Sequence, residues 1–416
     1  MWLTGRPKGV VFVNAVTHPK VKRLGIAVAW GRFLEARFLA LVALVCIPPW
    51  SEAAVVARAA PTEVAHPSTA DTAHAVEPMA ELDAWHAAKL MGMGVNIGNT
   101  LENTRQWEIG WGNPRITKEY IDSLAALGFK TVRLPVAWDT YAREGRIQPD
   151  KLARVGEVVD WITAAGMFCI VNIHWDGGWI DSSYKARFPD TYATFSAEAE
   201  RKYRSYWNEI ASFFATRNER LLFEALNEET NFERMGSPRD AYATLKKVNQ
   251  LFIDTVRKTG GNNARRLLIV TGYFTDIGKT TSSEYVLPTD SVLHRLFISV
   301  HYYTPWRFAG MTEDAGWSKM QPTWGSPSDV AELNRLFDAL QEFCARNDLP
   351  AFVGEFGVTE KKETASRVRW MSAVAKAALS RKMVPVLWET GGDISRQPPH
   401  SASPALRQVM QTLSGQ

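Results

Sequence analysis

Short apolar runs alternate with longer segments of helical periodicity from Leu82 to the end of this 416-residue chain. The runs are typical of strands buried on both faces, and the longer segments are typical of amphipathic helices that cover a sheet. The predicted strands are Gly94–Ile97, Thr131–Val136, Phe168–Ile173, Leu221–Leu226, Leu267–Thr271, Leu296–Val300, Ala351–Val353 and Val384–Leu387. The predicted helices are Ile116–Leu127, Lys151–Ala165, Ala197–Thr216, Ala241–Lys258, Val330–Cys344, Ala365–Ser380 and Ala405–Leu413.

Eight strand–helix units predict an α/β fold, a (β/α)8 barrel formed by one domain over residues 82–416. Gly128, Gly166 and Gly260 follow predicted helices, where a glycine commonly ends the helix. The segment between the fifth and sixth strands has the weakest helical pattern. An open doubly wound sheet is the alternative, but no glycine-rich phosphate loop follows the first strand.

Two of the predicted strands lead into a glutamate, where an acidic side chain contributes little to packing. The fourth strand is followed by Asn227, Glu228 and Glu229, and the seventh runs through Gly354 into Glu355. The carboxyl ends of the strands form the reactive face of such a barrel. Other polar residues expected at the same face are Asn96 to Glu102, Arg133, His174-Trp175-Asp176, His301-Tyr302-Tyr303 and Trp388-Glu389.

Two carboxyl groups on strands four and seven suit glycoside hydrolysis. One protonates the departing oxygen while the other attacks the anomeric carbon, at a separation of about 5 Å for retention or about 6.5–9.5 Å for inversion. We expect Arg133 to favour the ionised form of Glu355. Burial and the neighbouring negative charge are expected to keep Glu228 protonated.

Each polar residue has a structural alternative when it is taken singly. His174 and His301 could be satisfied core histidines, Arg133 an ordinary ion-pair partner and Asn227 a helix cap. A metal-dependent hydrolase is the rival chemistry, but the sequence has no closely spaced histidine pair and no His-Glu helix motif. We therefore predict a site without metal or cofactor. A non-catalytic glycan-binding barrel is a remote alternative, which the filled catalytic positions disfavour.

Sixteen tryptophans are a high count, and most lie in stretches with a loop pattern. Trp161 and Trp370 fall within predicted helices and are expected in the core. Flat aromatic rings stack on the apolar faces of sugar rings. Several such rings, here called platforms, would bind a polysaccharide over several of its sugars. The tryptophans predicted to line a cleft are Trp107, Trp111, Trp175, Trp179, Trp306, Trp317 and Trp324.

The formal net charge of +4 is small and the basic residues are mostly scattered, so the sequence gives no support for nucleic-acid binding. Three cysteines make no disulfide framework. Cys169 in a strand and Cys344 in a helix are expected to be small buried residues.

The start of the chain has the pattern of a secretory leader. Arg32 and Arg37 precede Phe38–Ile47, an apolar run too short to span a bilayer, and small residues follow. We predict a leader over residues 1–54 and a flexible linker, rich in Ala, Thr, Pro and His, over 55–81. A retained membrane anchor is the alternative. The expected mature protein is a secreted monomer, extracellular or periplasmic, without a membrane segment.

The stretches GVNIGNTLE, TVRLPVAW, VNIHWDGGW, FEALNE, HYYTP, GEFG and VLWE occur in this order and resemble glycoside hydrolase family 5, the retaining (β/α)8 cellulase group. The resemblance runs from about Leu82 to the C-terminus. It implies that Glu228 is the acid/base and Glu355 the nucleophile. Arg133 would then support the nucleophile, Tyr303 would hydrogen-bond it, and His301 would lie near the acid.

The same resemblance implies that His174 and Asn227 bind hydroxyls of the sugar being cleaved and that Trp388 stacks under it. Two positions depart from the family pattern. Glu229 stands where a proline often follows the catalytic Asn-Glu, and it could raise the pKa of the acid or point away. Trp175 stands where many members have a second histidine, which bears on sugar preference.

These observations predict an endo-β-1,4-glucanase that cuts internally in a β-linked polysaccharide by double displacement. Cellulose-like β-glucan is the favoured substrate, and xyloglucan, mixed-linkage glucan and mannan are the alternatives. Because no carbohydrate-binding module is visible, we expect soluble or amorphous substrates to be preferred over crystalline ones.

Overall fold

Eight parallel strands, paired in chain order, close into a barrel in the computed structural model, which describes residues 82–182, 194–229, 232 and 237–415. The predicted (β/α)8 fold is confirmed. The predicted leader, the linker and Cys46 lie outside the described residues. The strands are β1 Gly94–Asn96, β2 Thr131–Leu134, β3 Phe168–Asn172, β4 Leu221–Glu224, β5 Leu268–Thr271, β6 Leu296–Tyr302, β7 Ala351–Phe356 and β8 Val384–Leu387.

The described residues also form ten α-helices, and no helix among them is long and apolar enough to cross a membrane. The seven predicted helices are all present, with ends that differ by at most three residues. The helices are α1 Ala84–Met91, α2 Lys118–Ala126, α3 Pro149–Ala164, α4 Ala197–Phe213, α5 Pro238–Lys258, α6 Ile277–Thr280, α7 Trp306–Ala309, α8 Pro327–Asn347, α9 Thr364–Ser380 and α10 Pro404–Ser414.

Three helices begin earlier than predicted because each starts with a serine–proline pair. Ser237, Ser326 and Ser403 each accept a hydrogen bond from a backbone N–H of the first turn, and a proline occupies the next position. Proline fits there because its missing N–H would have no partner inside the helix. The weak segment before β6 contains a short 3-10 helix, Tyr273–Thr275, and the single turn α6.

Helix α1 was not predicted, and it closes the amino-terminal end of the barrel. Asp83 caps it by accepting a hydrogen bond from the N–H of His86 at 2.7 Å. The buried face of α1 forms one apolar cluster with inward side chains of the strands. The members of this cluster are Leu82, Ala84, Ala87, Ala88, Met91, Phe168, Ile170, Leu222, Leu267, Ile269, Phe297, Phe352, Val384 and Val386.

The strand register brings polar side chains together at the other end of the barrel. Asn96 pairs with Arg133, Asn172 with Glu224, and His301 with Glu355. The last pairing depends on a register shift between Val300 and His301. Such irregularities re-aim side chains and are common beside active sites.

Candidate active site

Glu355 lies in β7 and is held on both carboxylate oxygens. Arg133 Nη1 donates to Oε1 at 2.8 Å, and the Tyr303 hydroxyl donates to Oε2 at 2.9 Å. The side chain is only 7 % exposed. Two donors on a buried carboxylate fix its orientation, as a nucleophile requires. Both contacts were predicted from the sequence.

Glu228 follows β4 and is more open to solvent, with its side chain 37 % exposed. Its Oε1 lies 2.6 Å from Nδ1 of His301. One ring nitrogen of His301 and one carboxylate oxygen each from Glu228 and Glu355 lie within 4.8 Å of one another. This spacing fits the separation of about 5 Å that retention requires. The three groups are also close enough to bind a metal ion, so the absence of a metal stays a prediction.

The predicted order of the two carboxyl pKa values is wrong for the substrate-free site. Burial alone would raise the pKa of Glu228, but the hydrogen bond and charge of His301 and the charge of Arg133 lower it overall. Burial raises the pKa of Glu355 against the opposing charges of His301 and Arg133. The difference arises because His301 bonds directly to Glu228.

His301 also has a shifted pKa. Burial would lower it, but the carboxylates of Glu355 and Glu228 raise it overall. The raised imidazole pKa and the lowered carboxyl pKa, with the two atoms 2.6 Å apart, favour an ion pair in which the proton lies on His301 and Glu228 is ionised. The proton can pass to Glu228 along this hydrogen bond, which suits a group that must first donate a proton and later accept one.

Arg133 connects the nucleophile candidate to the rest of the site. It is fully buried, and Nη1 also donates to Asn96 Oδ1 at 3.0 Å. Nη2 donates to Asn227 Oδ1 at 2.9 Å, which fixes the orientation of that amide. Nε donates to Glu224 at 2.6 Å. Asn96 was predicted from the sequence to lie at the mouth of the barrel, whereas Glu224 was not predicted as a site residue.

Comparison with known proteins identifies the family. The family model described as cellulase, glycosyl hydrolase family 5, matches residues 92–393. The chain belongs to glycoside hydrolase family 5. Endoglucanase A of Paenibacillus barcinonensis is 34% identical over 343 residues, which cover 75% of this chain and 84% of that protein. The xyloglucan-specific endo-β-1,4-glucanase of Bacteroides ovatus is 30% identical over 372 residues, covering 81% of this chain and 71% of that protein.

Solved structures of family 5 proteins agree with this assignment. A GH5-4 broad specificity endoglucanase from an uncultured bovine rumen ciliate has a TM-score of 0.72 and 30% identity, over 80% of this chain and 99% of the other. A Bacteroides ovatus GH5 xyloglucanase in complex with a XXXG heptasaccharide has a TM-score of 0.71 and 28% identity, over 81% and 78%. The predicted family and enzyme class, a glycoside hydrolase, are confirmed.

Two of the residues predicted to bind the sugar, His174 and Trp388, lie next to each other in this family 5 site. The rings of His174 and Trp388 stack with centroids 6.0 Å apart and planes 6° apart. Burial, with the charges of Arg133 and His301, lowers the pKa of His174 well below its ordinary value. His174 is therefore neutral, and its ring can both donate and accept a hydrogen bond. Trp175 is half-buried in the same loop.

The predicted tryptophan-lined cleft is only partly present. Trp107, Trp179 and Trp324 are at most 8% exposed and pack in the core, so their assignment as platforms was wrong. Trp111 and Trp317 are 41% and 58% exposed, on the loops after β1 and β6. Trp175 and Trp306 are intermediate in burial. Composition could not separate the two groups, because Trp107 and Trp179 pack against the rings of Tyr141 and Tyr206, which are distant in sequence. Trp370 is fully buried in the core, as predicted, whereas Trp161 is half-buried against it.

Glu229, the departure from the family pattern, has a buried carboxyl group. Both of its oxygens lack a hydrogen-bond partner among the residues that the structure describes. Burial, followed by the charges of Asp181, Glu228 and Asp176, raises its pKa well above the ordinary value. The raised pKa favours the neutral form of Glu229, which places no negative charge beside the acid/base candidate.

Two other acidic residues at strand ends, Asp176 and Glu389, accept hydrogen bonds that fix the loops around the mouth of the barrel. Asp176 accepts from the N–H groups of Trp138 at 2.7 Å and Thr140 at 2.9 Å, and from the indole of Trp179 at 3.3 Å. Glu389 accepts from backbone N–H groups of residues 391, 393 and 394 and pairs with Arg396 at 2.9 Å. These carboxylates shape the mouth of the barrel.

Proposed function

We propose that this family 5 enzyme, an endo-β-1,4-glucanase, cleaves β-1,4-glucan with retention, using Glu355 as nucleophile and Glu228 as acid/base. The observation that carries the proposal is the cluster of reactive atoms within 4.8 Å, with Glu355 fixed by Arg133 and Tyr303. Asp176 and Glu389, also at strand ends, are engaged in holding loops. The Glu228–Glu355 pair has the spacing and the exposure that the reaction needs.

The charges of the site suit a two-step reaction. In the first step Glu355 attacks the anomeric carbon and Glu228 protonates the departing oxygen. Bond formation removes the negative charge of Glu355, which lies 3.7 Å from His301 and raises that histidine's pKa. The pKa of His301 therefore falls as the bond forms, which favours passage of its proton through Glu228 to the departing oxygen and leaves Glu228 ionised. Glu228 can accept a proton from the water that releases the sugar.

The substrate class follows from the open mouth and from the relatives. Trp111 and Trp317 expose apolar rings on loops at the carboxyl end of the barrel, which suits a chain of several sugars. The relatives include endoglucanases, broad specificity endoglucanases and xyloglucanases. We propose linear β-1,4-glucan as the main substrate. Xyloglucan is the second candidate because two of the related structures are xyloglucanases.

Location and assembly are part of the same proposal. An insoluble or high-molecular-weight glucan is met outside the cell, and the apolar run Phe38–Ile47 has the layout of a secretory signal. We propose that the enzyme is secreted. We also propose a monomer, since all the groups of the candidate site come from one chain.

The first test measures reducing ends released from carboxymethylcellulose, barley β-glucan, xyloglucan and galactomannan. We expect release from the β-1,4-glucans, a fall of about 10²–10⁴-fold for Glu228→Ala, and a larger fall for Glu355→Ala. Asp160→Asn, at an exposed ion pair, is the control. Activity that survives both glutamate changes would contradict the two-carboxylate mechanism.

A second measurement separates the two roles. The substrate is a dinitrophenyl β-cellobioside, whose dinitrophenolate leaving group departs without protonation. We expect Glu228→Ala to form the glycosyl-enzyme from it at a rate near that of the wild type, and then to stall, because water attack still needs a base. Glu355→Ala should form no glycosyl-enzyme. The reverse pattern would exchange the two assignments.

A further inference from the structure

A buried carboxylate outside the assigned pair is joined to the candidate nucleophile through Arg133. Glu224, the last residue of β4, is completely buried. Its Oε2 accepts from Arg133 Nε at 2.6 Å and from Asn172 Nδ2 at 3.0 Å. Its Oε1 accepts from the Ser299 hydroxyl at 2.8 Å. Three donors from three other strands meet the two oxygens, which is the bonding of an ionised carboxylate.

The bond to Nε has a geometric consequence. The guanidinium group is planar and rigid, so a contact at Nε fixes the directions of Nη1 and Nη2. Nη1 then points to Glu355 and Nη2 to Asn227, at 2.8 and 2.9 Å. Without Glu224, Nε would be left unpaired inside the barrel and the side chain could rotate away from the nucleophile.

The same contact has an electrostatic consequence. One arginine faces two buried carboxylates, so its charge is divided between Glu224 and Glu355. A carboxylate that faces the whole charge of an arginine has a strongly lowered pKa and is a weaker nucleophile. In this site burial keeps the pKa of Glu355 raised despite Arg133 and His301.

We propose that Glu224 is a positioning residue for the reaction: it holds Arg133 by Nε and takes part of the arginine's charge, so that Glu355 is oriented and stays reactive. The inference rests on the proposed role of Glu355 as nucleophile. A residue that only supports the fold would change stability and leave the pH dependence of the reaction untouched, and this difference makes the proposal testable.

The decisive experiment is the pH profile of kcat/KM for Glu224→Gln, which keeps the side-chain size and removes the charge. The acidic limb of this profile reports the ionisation of the nucleophile in the free enzyme. We expect the limb to move to lower pH by about one unit, because Arg133 then acts on Glu355 alone. We expect kcat to fall on the order of 10- to 100-fold, with little change in KM.

Two further variants separate charge from geometry and from stability. Glu224→Asp keeps the charge but lengthens the contact to Arg133. We therefore expect kcat to fall while the acidic limb of the kcat/KM profile stays at the wild-type pH. Asp290→Asn is the matched control, since Asp290 is a 4 % exposed carboxylate paired with Arg257 at 2.6 Å before β6. It should lower the midpoint of thermal unfolding without moving either limb.

The outcomes are distinct. A folded Glu224→Gln variant with an unshifted acidic limb would overturn the inference. If that variant does not fold, a Glu224→Asp variant with wild-type kcat would overturn it. A fluorinated cellobioside that traps the glycosyl-enzyme tests the proposed function separately, by the mass of the peptide that contains Glu355. If the wild-type enzyme acquires no label, the proposed function is refuted. If it is labelled but the acidic limb of Glu224→Gln is unshifted, only the role of Glu224 is refuted.

Discussion

Glu229 is next to the acid/base candidate in sequence, yet the fold makes the two residues very different. The carboxyl group of Glu228 meets His301 at the mouth, whereas that of Glu229 is buried without a hydrogen-bond partner among the described residues. A buried unpaired carboxyl group stays protonated, because desolvation penalises the charged form. The folded protein therefore holds a proton that the unfolded chain releases near the ordinary pKa of 4.5.

This proton makes stability depend on pH. Below about pH 4.5 both states are protonated and the ionisation of Glu229 costs no stability. As pH rises towards the folded pKa, only the unfolded chain ionises, and its free energy falls relative to that of the folded protein. Stability falls by about 1.4 kcal/mol per unit over that range. Glu229→Gln cannot ionise, so the difference between its unfolding midpoint and that of the wild type should be smallest at pH 4 and should increase in favour of the variant as the pH rises above about 5.

The exposed residue Glu342 provides the control for this prediction, since its side chain is 74 % exposed. Glu342→Gln should change the midpoint equally at every pH. A difference for Glu229→Gln that is the same at pH 4 and pH 8 would show that the carboxyl group is not the cause.

The sequence predicted the identity of the reactive residues better than their protonation. Glu228 and Glu355 were found because each follows an apolar run, and Arg133 because it is charged within one. Glu224 has the same signal, a charged residue in an apolar strand, but it was passed over as part of the run. The lowered pKa of Glu228 depends on a 2.6 Å contact with His301, 73 residues away in sequence, which no local pattern encodes.

At the scale of elements, Asp176 joins two loops that carry sugar-side residues. The loop after β3 contains Asp176 next to His174 and Trp175, and the loop after β2 supplies the N–H groups that the carboxylate accepts. Asp176→Asn replaces one acceptor oxygen with a donor that faces other donors. We expect a loss of about 1–3 kcal/mol in unfolding free energy and a rise in KM, because buried donors lose their partner and His174 moves.

Thermal unfolding and the KM for barley β-glucan would check this prediction. Asp160→Asn, in an exposed pair with Arg217, gives the matched control and should change neither quantity. A variant that loses stability but keeps its KM would mean that the loop after β3 is held by other contacts.

Elements with strong periodicity were predicted well, and the helix set by tertiary packing was not. The eight strands were found because buried parallel strands are continuous apolar runs. Helix α1 was missed because its eight residues, AWHAAKLM, span barely two turns and give little periodicity. The position of α1 depends on the amino-terminal end of the barrel that it covers. That end exists only once the sheet has closed, so the residues of the helix alone do not reveal it.

At the scale of the whole molecule, the barrel has one reactive end and one end that must be closed. The family match begins at residue 92, immediately after α1. The inward side chains at the amino end, among them Ile170, Leu222 and Phe352, pack against α1 and are completely buried. Removing α1 would expose this cluster to water, at about 25 cal/mol for each Å² of apolar surface.

We therefore expect a chain spanning residues 92–416 to be unfolded or aggregated, and a chain spanning 79–416 to keep the unfolding midpoint and kcat of the longer protein.

Point variants in α1 test the same packing in smaller steps. Met91→Ala, in the buried cluster, should cost about 2–5 kcal/mol. Leu90→Ala, on the same helix but 47% exposed, should cost less than about 0.5 kcal/mol. Because α1 lies at the end opposite the glutamate pair, kcat should be unchanged in both folded point variants. A 92–416 chain with wild-type stability would show that the barrel closes without α1.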